Sequence, residues 1–332
     1  MNILFYYRNK KAGYSIGAVF DTIVKEVGKN YHVRCSYLPS PYADILSILK
    51  NGLFARKEEK NGYINHITGD VHYLLWFLKG RKTIVTVHDI MYYHYLNGLK
   101  KKLWKLLYIV PLKKAAHVTF ISEFAYQQVK EIIELDSKKV HIIPNPVDSS
   151  FEYSPKEFNA NKPIILHIGT LERKNLERTI EALDGIKCYL RIIGELKEQT
   201  KELLRKHRIE YSNGVNLTHE EIVAEYKNAD IINFPSLFEG FGMPIIEGQA
   251  TGRIVITSNL SPMKEIAGNG AILVNPYSVE DIKFAYKSII TDKKKRENLL
   301  KEGLSNVRNF SINKISEQYL NVYKQLYHEG NI

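Results

Sequence analysis

Cysteine is almost missing from this chain. Only Cys35 and Cys188 occur in 332 residues, one in each half and without metal-ligand spacing, which excludes a disulfide framework and a structural zinc site and fits a reducing compartment. Long apolar runs are missing too. The greasiest stretch, from Val71 to Leu78, is broken by His72 and ends at Lys79, well short of the ~20 apolar residues that a membrane span needs. The opening residues, Met1 to Arg8, lack the charged leader, apolar core and cleavage site of a signal peptide and read as a first buried strand. No Gly-x-Gly-x-x-Gly occurs, which disfavours a dinucleotide-dependent oxidoreductase. There is no internal repeat, low-complexity tract, helix-turn-helix, zinc finger or aromatic-rich RNA-binding signature, so nucleic acid is not an expected partner. His66, His72 and His94 have no cysteine or carboxylate at ligand spacing, and no metal site is expected.

What is present is an ordinary globular composition, 44% hydrophobic and 25% charged, with a net charge of +11. That excess is unevenly placed: residues 1 to 150 hold 22 basic and 12 acidic side chains, and the remainder holds 25 and 24. The first half is therefore suited to something anionic, against the plainer alternative of a solvated basic face. Short β-branched and aromatic runs alternate with helical patterns, at Ile3 to Tyr7, Thr83 to Val87, Val118 to Ile121 and Val140 to Ile143. They continue at Ile164 to Ile168, Tyr189 to Ile193, Ile231 to Phe234, Ile254 to Thr257 and Ala271 to Val274. Such runs predict an α/β chain of two doubly wound, parallel-sheet domains with a central cleft at the strand C-terminal edges. The Pro144-Asn145-Pro146 stop and the polar stretch to Pro163 place a boundary near residue 155, giving domains 1–155 and 156–310. Residues 311–332 carry a helical apolar face from Ile312 to Leu326 and are expected to pack back toward the first domain.

Two motifs in the second half carry the chemistry. Phe234 to Gly248 reads as strand, glycine-rich loop and helix, with Pro244 at the helix start. Gly240 and Gly242 admit close backbone approach, and the amides of Gly240, Phe241, Gly242 and Met243 form an anion site aided by the helix dipole. Glu239 on the loop and Glu247, expected in the first helical turn, bracket it; one suits a sugar ring, the other a ribose diol. Upstream, Arg173 and Lys174 precede a helix expected near Asn175, where cations oppose the helix dipole and a bound diphosphate accounts for them. The plain alternatives are a loop carboxylate, a dipole-favoured glutamate and a solvated helix start.

The block Phe238 to Gly248 with its Glu-x7-Glu spacing, the block Gly169 to Leu176, and Ile143 to Asp148 occur in order, and together the chain resembles glycosyltransferase family 4. The resemblance covers nearly all of the second half and the first half more thinly. It implies a GT-B architecture, with domain 1–155 binding the acceptor and domain 156–310 the nucleotide sugar, and retaining transfer from a nucleotide-diphosphate sugar, UDP- or GDP-linked, to a saccharide or lipid-linked acceptor in surface polysaccharide or glycolipid synthesis. By the same resemblance, Glu239 contacts the donor sugar, Glu247 holds the ribose, and Arg173 and Lys174 hold the diphosphate. Leu217 and Thr218 are placed near the base. Thr170 stands where many relatives have arginine, and a proline that others carry between the positions of Glu172 and Arg173 is missing, which leaves open which cation takes which phosphate.

In the first half, His88 follows the strand Thr83 to Val87 in a His-Asp context that the family sets beside the reacting sugar. A wall histidine of purely structural role is the alternative. The loop Lys11 to Gly17, with Gly13 and Gly17, is expected before a helix from Ala18 and toward the diphosphate. From Ile90 to Ser122 no acidic residue occurs, while Lys100, Lys101, Lys102 and Lys105 interleave with Leu99, Leu103, Trp104 and Leu107. This predicts an amphipathic helix ended by Pro111 and suited to an anionic membrane surface or an anionic acceptor, against the plainer alternative of an exposed helix packing its leucine face on the domain, so a cytoplasmic, membrane-peripheral enzyme is expected. No Asp-x-Asp occurs, which predicts metal independence, with no cofactor beyond the sugar-nucleotide co-substrate. The second reading is a catalytically inactive protein of the same shape that binds at a membrane.

Overall fold

The computed structural model describes residues 1–12 and 15–329, with the Ser15 side chain left aside. The chain divides into two compact units, residues 1–146 with 312–332, and residues 147–311. The first unit holds β1 (Asn2–Tyr7), α1 (Ser15–Val27), β2 (His32–Tyr37), α2 (Ile45–Glu58), β3 (Tyr63–Ile67) and β4 (Thr83–Val87). There follow α3 (Met91–Tyr95), α4 (Gly98–Trp104), β5 (His117–Phe120), α5 (Glu123–Lys130) and β6 (Val140–Ile142). The second unit runs β7 (Ile164–Ile168), α6 (Leu176–Leu183), β8 (Tyr189–Ile193), α7 (Glu198–Lys206), β9 (Tyr211–Gly214), α8 (His219–Asn228) and β10 (Ile231–Phe234). It closes with α9 (Met243–Ala250), β11 (Ile254–Ser258), α10 (Met263–Ala267), β12 (Ile272–Val274), α11 (Val279–Thr291) and α12 (Lys293–Asn306). The last helix, α13 (Ile312–His328), belongs to the first unit. No helix among the described residues is long and apolar enough to cross a membrane.

Each unit is one six-stranded, all-parallel sheet. The orders are β2-β1-β3-β4-β5-β6 and β12-β11-β10-β7-β8-β9. The winding direction reverses between β1 and β3 in the first and between β7 and β10 in the second, and loops leaving strand C-termini at such a point part to leave a crevice. Helices cover both faces, so central strands are apolar throughout: Ile3 to Tyr6 are wholly buried. Three strands escape the sequence pattern. β2 and β9 are edge strands with polar, only partly buried sequences, and β3 carries Asn65 and His66 at full burial. His66 is accommodated because Nδ1 meets the Tyr323 hydroxyl at 2.6 Å and Nε2 meets Thr86 Oγ1 at 2.8 Å. Burial pushes its pKa down to about 3, so the ring is neutral.

The expected boundary near residue 155 lies inside the second unit. Val147 donates to the Phe310 carbonyl at 2.8 Å, Ser150 Oγ meets His219 Nε2 at 2.8 Å, and the buried Phe151 ring packs edge-on to Tyr226. These contacts bind the stretch after Pro146 to unit two, although its composition is that of a linker. The expected helix from Ala18 instead starts at Ser15, which puts Gly17 in the first turn of α1. The continuous helix expected up to Pro111 is also broken: α4 stops at Trp104, a π turn covers Lys105–Ile109, and Pro111 lies in the first turn of a 3-10 segment, Val110–Lys114. Trp104 stacks on Tyr108 at 4.8 Å, and the widened turn lets Trp76 Nε1 donate to the Leu106 carbonyl at 3.2 Å.

Candidate functional site

The loops after β7 and β10 carry the second-half motifs to the reversal point of the second sheet. After β7, a 3-10 turn, Glu172–Lys174, ends at Asn175, which adopts φ 65° and starts α6. Asparagine tolerates this left-handed conformation better than most residues. Its buried amide donates to the carbonyls of Pro235, at 3.0 Å, and Pro276, at 2.7 Å, while Leu237 donates to the Arg173 carbonyl at 2.7 Å. The two loops are thereby stapled together and their charged side chains converge.

Arg173 Nη1 and Lys174 Nζ each lie 2.6 Å from Glu239 Oε1, and Arg173 also reaches the Phe238 carbonyl at 3.2 Å. Lys174 Nζ stands 4.6 Å from the Phe234 ring centroid, and its burial lowers the ammonium pKa against the opposing pull of Glu239. Two cations sharing one carboxylate oxygen leave a net positive cluster, which suits an anion. Gly169, φ 94°, admits Lys174 here, since a Cβ on it would come within 3.0 Å of the Lys174 side chain.

After β10 the chain passes through Gly240 and the buried Phe241 to Gly242, whose φ of 117° caps α9; a Cβ there would sit 2.9 Å from Ile245 Cδ1. The helix opens at Met243 with Pro244 next; Pro244 has no N–H and the Ile245 amide donates to the Gly242 carbonyl at 3.0 Å, which leaves the Met243 amide at the loop end. Glu247 is therefore one turn further in than expected, the fifth helical residue rather than a first-turn residue. The Tyr226 hydroxyl of α8 donates to Glu247 Oε2. Weakly polar surroundings raise the Glu247 carboxyl to about 7, opposed by the Tyr226 hydrogen bond and by Lys174. Tyr226 had no signal in the sequence, being a mid-helix residue 21 positions from its partner.

Leu217 and Thr218 lie in the loop entering α8, just after β9. Thr218 Oγ1 accepts from the Glu221 amide at 3.2 Å while Glu221 Oε2 accepts from the Thr218 amide at 2.7 Å, a capping box that occupies the side chain expected near a base. In the first unit, His88 follows β4, buried edge-on to Phe20, with Nε2 donating to the Thr68 carbonyl at 2.8 Å. A carbonyl can only accept, so Nδ1 carries the lone pair, and burial lowers the pKa to about 4. Gly17 lines a 280 Å³ cavity with Tyr7, Asp21 and Tyr37; Gly13 lies outside the described residues. Lys100 lines a separate cavity with Trp104, and Lys101 Nζ sits 4.5 Å from the Tyr93 ring centroid. Neither these two lysines nor Lys102 and Lys105 make an ion pair among the described residues.

Comparison with known proteins bears on the whole chain. The profile of "Glycosyl transferases group 1" matches residues 149–305, and that of "Glycosyltransferase Family 4" matches residues 25–151. The serotype-specific mannosyltransferase WbdA of Escherichia coli is 25% identical over 75% of this chain, and the O-antigen chain mannosyltransferase RfbU of Salmonella typhimurium is 27% identical over 63%. The matches span 36% of the length of WbdA and 61% of that of RfbU, so the chain corresponds to only part of these relatives. Among solved structures, the sucrose-phosphate synthase of Thermosynechococcus elongatus superposes with a TM-score of 0.82 at 18% identity, covering 99% of both chains. HepE of Anabaena, solved with UDP and glucose, gives 0.77 at 14% identity over 98% of this chain and 100% of its own. With the two profiles together spanning residues 25 to 305 and each unit a parallel six-stranded sheet, the chain belongs to the group 1 glycosyltransferases, with the two Rossmann-like units of the GT-B fold.

Proposed function

We propose that the chain transfers a hexosyl group from a UDP- or GDP-linked sugar to a saccharide or lipid-linked acceptor, with retention and without a metal, at the cytoplasmic face of a membrane. The observation that carries this reading is the convergence of Arg173, Lys174 and Glu239 beside Glu247 at the reversal point of the second sheet. The mannosyltransferase relatives favour a mannosyl group and polysaccharide synthesis. Metal independence is read from the lack of an Asp-x-Asp motif.

In this mechanism the bond from the anomeric carbon to the diphosphate breaks with its electron pair going to the phosphate. Arg173, Lys174 and the amides from Gly240 to Met243 stabilise that charge, Glu239 orients the sugar, and Glu247 accepts from the ribose hydroxyls. The acceptor oxygen bonds the same face of the sugar, and its proton passes to the departing phosphate oxygen. His88, which the family resemblance sets beside the reacting sugar, is neutral near pH 7, with Nδ1 as its accepting nitrogen.

Thermal-shift titration with UDP- and GDP-linked sugars tests the donor class, since a ligand that binds only the native state raises the melting temperature. One series should stabilise the protein, and Lys174→Ala and Glu239→Ala should each lower transfer by ~10²-fold or more with the fold retained. No shift with either series, or unchanged turnover in both variants, would refute the assignment. Transfer should persist in excess chelator; complete loss restored by manganese would end the metal-free reading.

A further inference from the structure

The loops of the proposed donor site leave the C-terminal ends of the strands in the second unit. At the opposite end of the same sheet, Asp230 leads into β10 and Arg253 into β11, and with α12 and the stretch before β7 they enclose a cavity of about 330 Å³. That volume is enough for a small molecule, and no step of the proposed transfer uses it.

Arg253, on its wall, is 4% exposed, yet no carboxylate pairs with it among the described residues. Nε donates to the Tyr226 carbonyl at 3.0 Å, Nη1 to that of Gly252 at 3.3 Å and Nη2 to that of Ser154 at 2.6 Å. A guanidinium carries more N–H groups than these three bonds use, so donors are left for a further acceptor. Burial lowers the Arg253 pKa against the opposing pull of Asp230. Asp230 is itself committed elsewhere: it accepts from Lys156 and from the amides of Asn159, at 3.3 Å, and Ile164, at 2.8 Å. Arg296 of α12 repeats the pattern on the same wall. Its Nη1 donates to the carbonyls of Ile289, at 2.6 Å, and Ile290, at 3.1 Å, its guanidinium lies 4.4 Å from the Phe158 ring centroid, and it too lacks a carboxylate partner among the described residues.

Two guanidiniums held by backbone carbonyls, with their charge unmatched, suit a phosphate. Glu157 and Glu297 line the cavity as well. Carboxylates there oppose a bare anion and accept hydrogen bonds from hydroxyl groups. The Phe158 ring already carries the Arg296 guanidinium, which works against stacking a nucleobase on it.

We infer that this cavity binds a phosphate monoester of a sugar, phosphate on Arg253 and Arg296 and hydroxyls on the carboxylates, and that the bound ester modulates the donor site. The route between them is short. Arg253 holds the Tyr226 carbonyl, and the Tyr226 hydroxyl donates to Glu247, so an anion that draws on Arg253 acts on the residue that positions the proposed ribose acceptor. The modulation rests on the donor reading above; the binding does not.

Calorimetric titration of the full chain with glucose 6-phosphate, beside glucose, inorganic phosphate and adenosine monophosphate, tests the site. Glucose 6-phosphate should bind saturably, glucose not at all, and the other two about tenfold more weakly or worse. Arg296→Gln, at a partly exposed position, and Arg253→Lys, which keeps the charge and loses the fork, should each weaken glucose 6-phosphate about tenfold or more. Lys174→Ala should leave its midpoint in place. No heat with glucose 6-phosphate, undiminished binding in Arg296→Gln, or loss of binding in Lys174→Ala would overturn the site, the last by placing the anion among the donor-site cations. Equal or tighter binding of inorganic phosphate or adenosine monophosphate would overturn the sugar assignment. At saturation, glucose 6-phosphate should change the affinity for UDP or GDP about fivefold, nucleotide should change that for glucose 6-phosphate by the same factor, and Arg296→Gln should abolish both effects. Unchanged nucleotide affinity beside bound glucose 6-phosphate would overturn the modulation. If neither nucleotide binds while glucose 6-phosphate does, the donor reading falls and the modulation with it, and the site stands.

Discussion

A carboxyl held at about 7 changes charge within the range where binding is ordinarily measured, and Glu247 is such a group. Ribose hydroxyls bond a carboxylate more strongly than a protonated acid, which keeps one strongly accepting oxygen, so the proposed donor prefers the ionised form. Nucleotide affinity should rise as pH increases through 7 and level off above it. Stability runs the other way. Between the ordinary carboxyl value and 7 the native state holds a proton that the unfolded state has released, so the contribution of Glu247 declines as pH rises across that window. Calorimetric titration from pH 6 to 8 checks the first point. Glu247→Gln should bind more weakly and show a nearly flat profile, and a wild-type profile unaffected by the substitution would show that another group titrates.

At the level of elements, the glutamate pair was legible because glycine, proline and carboxylates stand at fixed offsets around one strand end. Arg173 and Lys174 were read from the same kind of pattern, but the groups that hold the site were not: Tyr226, the partner of Glu247, comes from a different helix, and Asn175, read as a plain helix start, works through a left-handed turn and two distant carbonyls. Polar strands escaped for a related reason: Asn65 and His66 look unlike core residues until Thr83, Thr86 and Tyr323 are brought to them by pairing and packing. The lysine-rich segment read as one helix because spacing alone cannot foresee the π turn that Trp76 supports. Thr218 offers a direct separation of structure from function. As the α8 cap, its replacement by alanine should cost ~1 kcal/mol in urea unfolding. If the cap is its whole role, nucleotide affinity stays as in the parent protein; a weakening beyond threefold with unchanged stability would return Thr218 to the base.

Across the whole molecule, the near-neutral unit carries the proposed donor site, and the surplus of positive charge falls in the other. The parallel arrangement of both sheets was readable from nine apolar runs, whereas the position of the unit boundary depended on contacts of Val147 and Phe151 that no local pattern announces. The rings of α13 matter at this scale: Tyr323 meets His66 and lies edge-on to Phe5, and Tyr319 packs on Phe20. Tyr323→Ala removes a fully buried aromatic and should destabilise by roughly 3–5 kcal/mol. Hydrogen exchange should quicken in residues 1–146, with residues 147–311 far less affected; uniform acceleration throughout would mean that the two units unfold as one.

The return of α13 to the first unit also sets an order of assembly during synthesis. Residues 147–311 form a contiguous piece that can fold as soon as it leaves the ribosome. The first unit, though begun earlier, must wait with Phe5, Phe20 and His66 uncovered until the last helix is made. The half translated first is thus the half finished last. Its apolar face is exposed to chaperones and proteases for the full time needed to translate the other.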